Sequence, residues 1–151
     1  MRPVIPWADG TPGVVRLPSG RLVRGRGLRR PPPAGAPATL AVHLAGRRPG
    51  PTTCEQQWIR WRDFWVPSDY DEARRVLVDA HGRAAQDRVE ITCRGGVGRT
   101  GTALAALGIL DGSPAPDAVR WVRATYHPRA VEVPWQRHFL RWLASPRRDA
   151  D

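Results

Sequence analysis

The chain alternates short apolar runs with longer segments that carry apolar residues at helical spacing, and glycine- and proline-rich stretches separate them. In the first third, "RLPSGRLVRG" predicts two short strands around a turn at residues 18–20, and "TLAVHLAG" predicts a buried strand. Between them, "RRPPPAGAPA" predicts a stiff connection. This part of the chain is therefore expected to be rich in strands.

The middle of the chain predicts a strand end, a loop and a helix. "WIRWRDFWVP" alternates tryptophan with polar residues, as in a half-buried strand that runs into a loop. "SDYDEARRVLVDAHGRAA" predicts a helix that begins at Ser68, because Asp71 three residues later comes close to a capping box and puts negative charge at the helix start. Its apolar residues share one face: Ala73, Val76, Leu77 and Ala80.

The second half is mainly helical in pattern. "RVEIT" predicts a short buried strand, which leads through a glycine-rich turn into the apolar helix "RTGTALAALGIL". "APDAVRWVRATY" and "PWQRHFLRWLA" predict two further helices, the last opening with Pro134 at a helix-entry position. Strands in the first half, one strand that feeds a buried helix, and helices afterwards predict an α/β layer fold.

Length and charge narrow the function classes. At 151 residues the chain is long enough for one compact domain with one site. The net charge is +10 and every one of the 24 basic residues is arginine, a bias typical of GC-rich coding. Because no recognition motif or aromatic-interleaved basic stripe accompanies the charge, we expect no nucleic-acid partner, whereas a basic surface suits an anionic substrate.

Targeting and cysteine patterns favour a cytoplasmic protein. The start "MRPVIPWADG" lacks the apolar core of a signal peptide, and no apolar run approaches the length of a membrane span. Cys54 and Cys93 cannot form a four-ligand zinc site alone, and the four histidines show no metal-ligand spacing. We therefore expect no metal and no cofactor, and a cysteine in a special turn becomes a candidate nucleophile.

Such a turn is "TCRGGVGRTG", between the predicted strand and the apolar helix. Glycines there let successive backbone amides point into one concavity, and the helix end adds partial positive charge. A cysteine at the base, Cys93, is then favoured as a thiolate, and Arg99 at the lip can grip two phosphate oxygens. The turn is predicted to bind phosphate above a nucleophile.

Three other interpretations of this turn are open. A nucleotide-binding P-loop would need glycine at Cys93 and lysine at Arg99, so it fails at both ends. A plain glycine-rich turn with a buried cysteine would have to explain Gly96, Gly98 and Thr100 as well. A sulfurtransferase or arsenate-reductase loop also uses a cysteine cradle, but it has no need of an acid on a separate segment.

The turn resembles the signature loop of the cysteine-dependent protein-tyrosine phosphatase superfamily, which includes dual-specificity members, and the chain looks like a small bacterial-type member. The resemblance implies a mixed, largely parallel central sheet flanked by helices. It implies Cys93 as nucleophile, Arg99 as phosphate clamp and Thr100 as the hydroxyl that assists the sulfur's departure; a helix cap is the other role open to Thr100, and the two roles are compatible. The implied phosphate-binding amides are those of Arg94, Gly95, Gly96, Val97 and Gly98.

The same resemblance implies a general acid about thirty residues before the cysteine, in a Trp-Pro-Asp-x-Gly-Val-Pro loop. "WRDFWVP" matches that loop and implies Asp63 as the acid, with Arg62 in place of the proline and Trp65 in place of the glycine. Asp69 and Asp71 are alternatives that a helix start explains as caps. Trp65 is most simply a loop anchor, or else it stacks on an aromatic phosphoester.

A late segment, "VEVPWQRHF", resembles the family's water-positioning motif: Gln136 matches its second glutamine and Glu132 replaces its first. A plain helix entry is the alternative. The residue before the cysteine is usually histidine in the family and is Thr92 here, which removes one support of the thiolate. Cys54 is expected to be a structural thiol rather than a disulfide partner of Cys93.

We therefore expect one protein-tyrosine-phosphatase-like domain over residues 1–151, with a β-rich part at about 1–50 and a catalytic core at about 58–143. Its expected activity is hydrolysis of phosphotyrosine in proteins, and of phosphoserine or phosphothreonine if it has dual specificity, with a phosphorylated protein or other phosphomonoester as partner. A phosphoinositide phosphatase, and a catalytically inactive phosphate-binding module, are the alternatives.

Overall fold

The computed structural model describes residues 3–146, which form five strands and four helices. The strands are β1 (Val14–Arg16), β2 (Leu22–Gly27), β3 (Leu40–Ala45), β4 (Glu55–Arg60) and β5 (Val89–Cys93). The helices are α1 (Tyr70–Arg83), α2 (Gly98–Leu110), α3 (Ala115–Thr125) and α4 (Pro134–Ala144). The predicted order of strands and helices is confirmed.

The strands form one sheet in the order β1-β2-β5-β3-β4. β1 and β2 form an antiparallel hairpin around the predicted turn, and the other neighbours pair in parallel. The mixed, largely parallel α/β fold is thus confirmed. Because β5 lies between β2 and β3, strands from the first 50 residues and from the predicted catalytic core form one sheet. The predicted boundaries of the β-rich part and of the catalytic core stay predictions.

The two faces of the sheet differ in chemistry. Side chains alternate between the faces of a strand, so the apolar residues of β3 and β5 fall on one face. These residues join the buried positions of the helices in one core, and α2 contacts the other three helices. The alternate positions of β2, β3 and β5 include polar residues, and four of them are buried: Arg24, His43, Glu90 and Thr92. The sheet therefore carries a buried polar row opposite its apolar face.

The start of α1 differs from the prediction by one residue. Asp69, not Ser68, is the N-cap: its extended backbone precedes the helix and its carboxylate accepts a hydrogen bond from the amide of Glu72 at 3.0 Å. A carboxylate satisfies an orphan amide and favours the positive helix end, so Asp69 serves both functions. The predicted apolar face is confirmed, with Ala73, Leu77 and Ala80 buried.

No helix within residues 3–146 is long and apolar enough to cross a bilayer.

Candidate active site

The loop from Cys93 to Arg99 joins the carboxyl end of β5 to the first turn of α2. Cys93 is buried, and its Sγ accepts hydrogen bonds from the backbone amide of Gly96 at 3.1 Å and from the Thr100 hydroxyl at 3.0 Å. Donors directed at a sulfur favour its charged form, and a helix N-terminus acts in the same direction. The sequence therefore folds into a turn that surrounds one sulfur with donors.

Close packing against β2 fixes the shape of this loop. Gly96 has a φ of 75°, and a Cβ there would lie 2.4 Å from the backbone nitrogen of Gly27. A Cβ on Gly27 would in turn lie 2.7 Å from the carbonyl oxygen of Gly95. Both glycines are thus required for the loop to rest on the strand. The pairing of Gly27 with Cys93 brings the two segments together.

Tyr126, the C-cap of α3, holds the loop from another side. Its hydroxyl donates to the carbonyl oxygen of Gly96 at 2.5 Å, and its ring occupies the space that a side chain on Gly25 would need. Burial raises the pKa of the Tyr126 phenol, and the neighbouring Cys93 and Glu90 raise it further, so the hydroxyl remains a donor.

Arg99 lies in the first turn of α2, and its side chain is buried. Its Nη1 donates to the carbonyl oxygens of Trp61 at 3.0 Å and of Leu44 at 3.3 Å. Its Nε lies 3.5 Å from Oδ1 of Asp63 and is a buried nitrogen without a hydrogen-bond partner. An unpaired buried guanidinium nitrogen is costly, so it favours an anionic ligand with oxygens for it to bind.

The segment "WRDFWVP" folds as a tight loop beside Arg99. Trp61 and Pro67 pair across its base, and the amide of Trp65 donates to the Arg62 carbonyl at 3.1 Å to close a turn. The Asp63 side chain is 59% exposed and accepts from the amide of Phe64 at 3.0 Å. The carboxylate therefore sits at the mouth of the site, where solvent and substrate can reach it.

The loop is also tied to the start of α4. The Trp135 indole donates to the carbonyl oxygen of Phe64 at 2.6 Å, and the Gln136 amide donates to that of Trp65 at 3.2 Å. The rings of Trp65 and Trp135 lie 5.4 Å apart. The Trp61 indole adds a bond of 2.7 Å to the Trp65 carbonyl. Trp65 therefore anchors the loop, and it does so at the position where the phosphatase loop that this segment resembles has glycine.

Gln136 and Glu132 lie at this same junction. Gln136 is buried, and its Oε1 accepts from the amide of Glu132 at 2.9 Å, so both ends of its amide group already have backbone partners. The Glu132 carboxylate packs against Gly98, where a Cβ would lie 2.0 Å from Oε1. Val131 before it has a φ of 63°, an unusual conformation for a β-branched residue. Of the two predicted water-positioning residues, Glu132 is the one in contact with the loop after Cys93.

A cleft of about 630 Å³ opens above Arg99. Its walls include Asp63 and Arg99, the apolar Leu28, and the exposed arginines Arg47 and Arg94. Within the part of the chain that the structure describes, neither Arg47 nor Arg94 forms an ion pair with a carboxylate. The cleft is therefore suited to an anion with an attached organic group.

The structure brings most of the predicted site residues together. The Thr100 hydroxyl contacts the Cys93 sulfur, Arg99 lies 3.5 Å from Asp63, and Arg99 and Thr100 are consecutive residues in the first turn of α2. Thr100 contacts the sulfur, while Val97 holds the N-cap position of α2, so the cap alternative for Thr100 is wrong. Both cysteines are free thiols. Among residues 3–146, no group of three His, Cys, Asp or Glu side chains could hold a metal ion.

Sequence reasoning missed the contacts that support this site. They come from Gly25, Gly27 and Tyr126 around the loop and from Trp135 beside Asp63. The two alternate glycines in "RGRG" of β2 were a usable signal, because glycine in a strand often marks a close approach of another backbone. The hydrogen bonds of Tyr126 and Trp135 depend on tertiary packing and left no local pattern.

Comparisons with known proteins agree with this geometry. The sequence profile described as protein-tyrosine phosphatase matches residues 39–132. A crystal structure of Tk-PTP in the active form is similar, with a TM-score of 0.63 and 26% identity over 71% of this chain and 78% of that chain. A glycine-to-alanine mutant form of Tk-PTP has a TM-score of 0.60 and 25% identity, over 71% and 77% of the two chains. No curated protein gives a significant match.

Proposed function

The chain belongs to the protein-tyrosine phosphatase family, and on that premise we propose that it hydrolyses phosphotyrosine in proteins through a cysteinyl-phosphate intermediate. Phosphatase activity in general follows from the family and from the similar solved structures. One set of contacts supports the finer proposal: the Arg99 guanidinium and the Asp63 carboxylate line one cleft, and the Cys93 sulfur accepts hydrogen bonds within the loop that leads to Arg99. The remaining parts of the mechanism are built around these three groups.

In the first step, the Cys93 thiolate attacks phosphorus and the bond from phosphorus to the leaving oxygen breaks. The amides of residues 94–98 and the Arg99 guanidinium bind the phosphoryl oxygens, and the negative charge on them is stabilised in a site where donors are already positioned. The Asp63 carboxyl gives its proton to the leaving oxygen, so a tyrosine departs as a neutral phenol. The products are the cysteinyl phosphate and the dephosphorylated substrate.

In the second step, water attacks the phosphorus and the bond from sulfur to phosphorus breaks. Asp63, now a carboxylate, takes the proton from the water, and inorganic phosphate leaves. The Thr100 hydroxyl, 3.0 Å from Sγ, stabilises the departing thiolate. Glu132 beside Gly98 is the second group we assign to this step, as a positioning group for water. Gln136 instead supports the acid loop, since both ends of its amide are bound to backbone groups.

The cleft supports phosphotyrosine as the first choice of substrate. Asp63 is exposed on the wall of the cleft whereas Cys93 is buried, a difference in depth that suits a long aromatic phosphoester, and the apolar Leu28 can contact its ring. Dual specificity is the near alternative, and a phosphoinositide is a further one because Arg94 adds charge at the rim. A cytoplasmic location fits a mechanism that needs a reduced thiol.

The competing function is a phosphate-binding module without activity, motivated by Thr92, Arg62 and Trp65. The test is release of p-nitrophenol from p-nitrophenyl phosphate by the wild type and by Cys93→Ser, with Cys54→Ser as the matched control. We expect wild type and Cys54→Ser to be active and Cys93→Ser to lose all measurable turnover. An inactive wild type that still binds vanadate would favour the binding module.

A further inference from the structure

The threonine that stands before the nucleophile has a histidine partner on the neighbouring strand. His43 Nδ1 and Thr92 Oγ1 lie 2.6 Å apart, and both residues are buried, Thr92 completely. They also pair in the ladder of β3 and β5, where they form the last paired position before the strands end. The imidazole absent from the position before Cys93 is thus present on the adjacent strand.

The His43–Thr92 pair connects the strand that leads to Cys93 with the strand whose backbone holds Arg99. The residue after Thr92 is Cys93, and the residue after His43 is Leu44, whose carbonyl oxygen accepts from Arg99 Nη1 at 3.3 Å. A shift between β3 and β5 at this point would therefore change the position of the sulfur relative to the guanidinium. The hydrogen bond between His43 and Thr92 fixes the sulfur relative to the guanidinium at the point where the pairing of β3 with β5 ends.

The polar row around His43 affects the charge of the imidazole. Glu90 on β5 is paired with Arg24 and Arg26 on β2, at 3.2 Å to Arg26. Burial lowers the pKa of His43, Arg26 lowers it too, and Glu90 and Gln56 oppose the shift. His43 is therefore neutral at neutral pH and can share one hydrogen with the Thr92 hydroxyl. Its Nε2 is buried without a partner, which makes Nδ1 the working atom of the ring.

Other titratable and charged groups lie around the loop that holds the sulfur. Arg99 belongs to α2, Tyr126 follows α3, Glu132 precedes α4 and Asp63 belongs to the acid loop. None of these groups contacts Thr92 or His43 by a hydrogen bond. The effect of the pair on Cys93 is therefore separable from theirs.

We propose that His43 and Thr92 act together as positioning residues for the Cys93 nucleophile, as a two-strand replacement for the single histidine that precedes the cysteine in the family. The inference rests on the proposed function of Cys93. His43 also lines the cleft, but the role assigned to the pair is indirect: it sets how well the loop amides, Thr100 and Arg99 are aligned with the sulfur. Loss of the hydrogen bond weakens this alignment and makes the thiolate harder to form.

The test is the rate of Cys93 alkylation by iodoacetamide as a function of pH, measured in a Cys54→Ser background so that one thiol reacts. Thr92→Val keeps the shape and removes the hydroxyl, and His43→Leu removes the ring nitrogens. We expect both to move the midpoint of alkylation to higher pH, with about three- to tenfold slower reaction below the wild-type midpoint. The pH at which kcat/KM rises on the acidic side of its pH profile should shift in the same direction as the alkylation midpoint.

Conservative variants and a distant threonine serve as controls. Thr92→Ser retains a hydroxyl, and His43→Asn retains a polar nitrogen near the Nδ1 position, so both should restore most of the wild-type midpoint. Thr39 directly precedes the first residue of β3, at the end of the strand that is farther from His43, and its hydroxyl is bonded to Asp87. Thr39→Val removes this hydroxyl. It should lower the melting temperature without moving the midpoint. Circular dichroism checks that each variant is folded.

The double variant Thr92→Val with His43→Leu gives the decisive comparison. If the residues act as a pair, its midpoint matches that of either single variant. Unchanged midpoints in folded Thr92→Val and His43→Leu, or shifts that add in the double variant, would overturn the inference. Failure of the proposed function looks different: Cys93→Ser would then hydrolyse p-nitrophenyl phosphate as the wild type does, whatever the alkylation midpoints.

Discussion

At the residue scale, the role proposed for Asp63 depends on its position rather than on an unusual environment. Its carboxylate is exposed at the mouth of the cleft and lies 3.5 Å from Arg99 Nε. The competing carboxylate Asp69 is occupied at the start of α1, where it accepts from Glu72. Two nearby aspartates thus have distinct tasks because one faces the cleft and the other caps a helix.

The Asp63→Asn substitution should lower kcat for phenyl phosphate by about 10²- to 10⁴-fold, because the amide cannot protonate a poor leaving group. The loss should be smaller for p-nitrophenyl phosphate, whose leaving group needs less protonation. Steady-state rates for the two esters measure this difference. Asp69→Asn is the matched control, since asparagine also caps helices well and activity should be retained. Equal rates for Asp63→Asn and wild type would refute the acid assignment.

A second prediction at this scale concerns His43 and stability. Burial lowers the pKa of His43 from its usual 6.5, with Glu90 opposing and Arg26 reinforcing the shift. Below pH 6.5 the unfolded chain therefore binds more protons at His43 than the folded chain does. The part of the unfolding free energy that depends on a neutral His43 is fully present above pH 6.5 and is lost as the pH falls below it. Urea unfolding at about pH 7.5 and about pH 5.5 should show the decrease in wild type and less of it in His43→Asn. If the unfolding free energy decreases by the same amount in both proteins between these two pH values, the assignment is contradicted.

At the element scale, the sequence predicted most of the fold because the patterns were strong. The central strands β3 and β5 were predicted as buried strands, and α2 follows β5 directly through a turn whose glycines are visible in "CRGGVGRTG". The start of α1 was placed one residue early because both Ser68 and Asp69 are good caps, and local sequence does not decide between them. The polar row was not predicted, since its residues find partners on different strands.

The acid loop is the element whose support was least visible in the sequence. Trp135 and Gln136 of α4 bind the carbonyls of Phe64 and Trp65, more than seventy residues away along the chain. Such contacts arise from the docking of α4 and carry no local signature. They explain how the chain accommodates tryptophan where the family has the loop glycine: Trp65 packs on Trp135.

Removing one of these contacts should loosen the loop. Trp135→Phe keeps the ring contact but loses the indole bond to Phe64, and we expect kcat for phenyl phosphate to fall several-fold while KM changes little. Trp7→Phe is the matched control: it loses a similar indole bond, to the Val89 carbonyl at 3.0 Å, far along the chain from the acid loop. If the two variants have the same kcat, the bond does not support catalysis.

At the scale of the whole molecule, the arginine excess gives the protein a net charge of +10. Part of this charge surrounds the cleft, where Arg47 and Arg94 have no acidic partner among the described residues. Charge of this kind attracts an anionic substrate over a distance of about 10 Å and is screened by salt. The charge therefore bears on substrate choice, whereas the fold does not depend on it.

Arg47→Ala should raise KM for an acidic phosphotyrosine peptide several-fold and leave kcat nearly unchanged, because the residue lies on the cleft wall away from the sulfur. The effect should decrease as salt is added. Arg120→Ala on α3, where the arginine is paired with Asp117, is the control. Steady-state kinetics at low and high ionic strength test this, and identical salt dependence in wild type and Arg47→Ala would contradict it.

The central claim is that Cys93 carries the phosphoryl group between the two steps. The direct measurement is rapid acid quenching of the reaction with p-nitrophenyl phosphate, followed by mass spectrometry of the peptide that contains Cys93. The account predicts a phosphate adduct on Cys93 that appears during turnover and is absent from Cys93→Ser, which is also inactive. Full activity in Cys93→Ser, or an adduct on another residue during turnover, would contradict it.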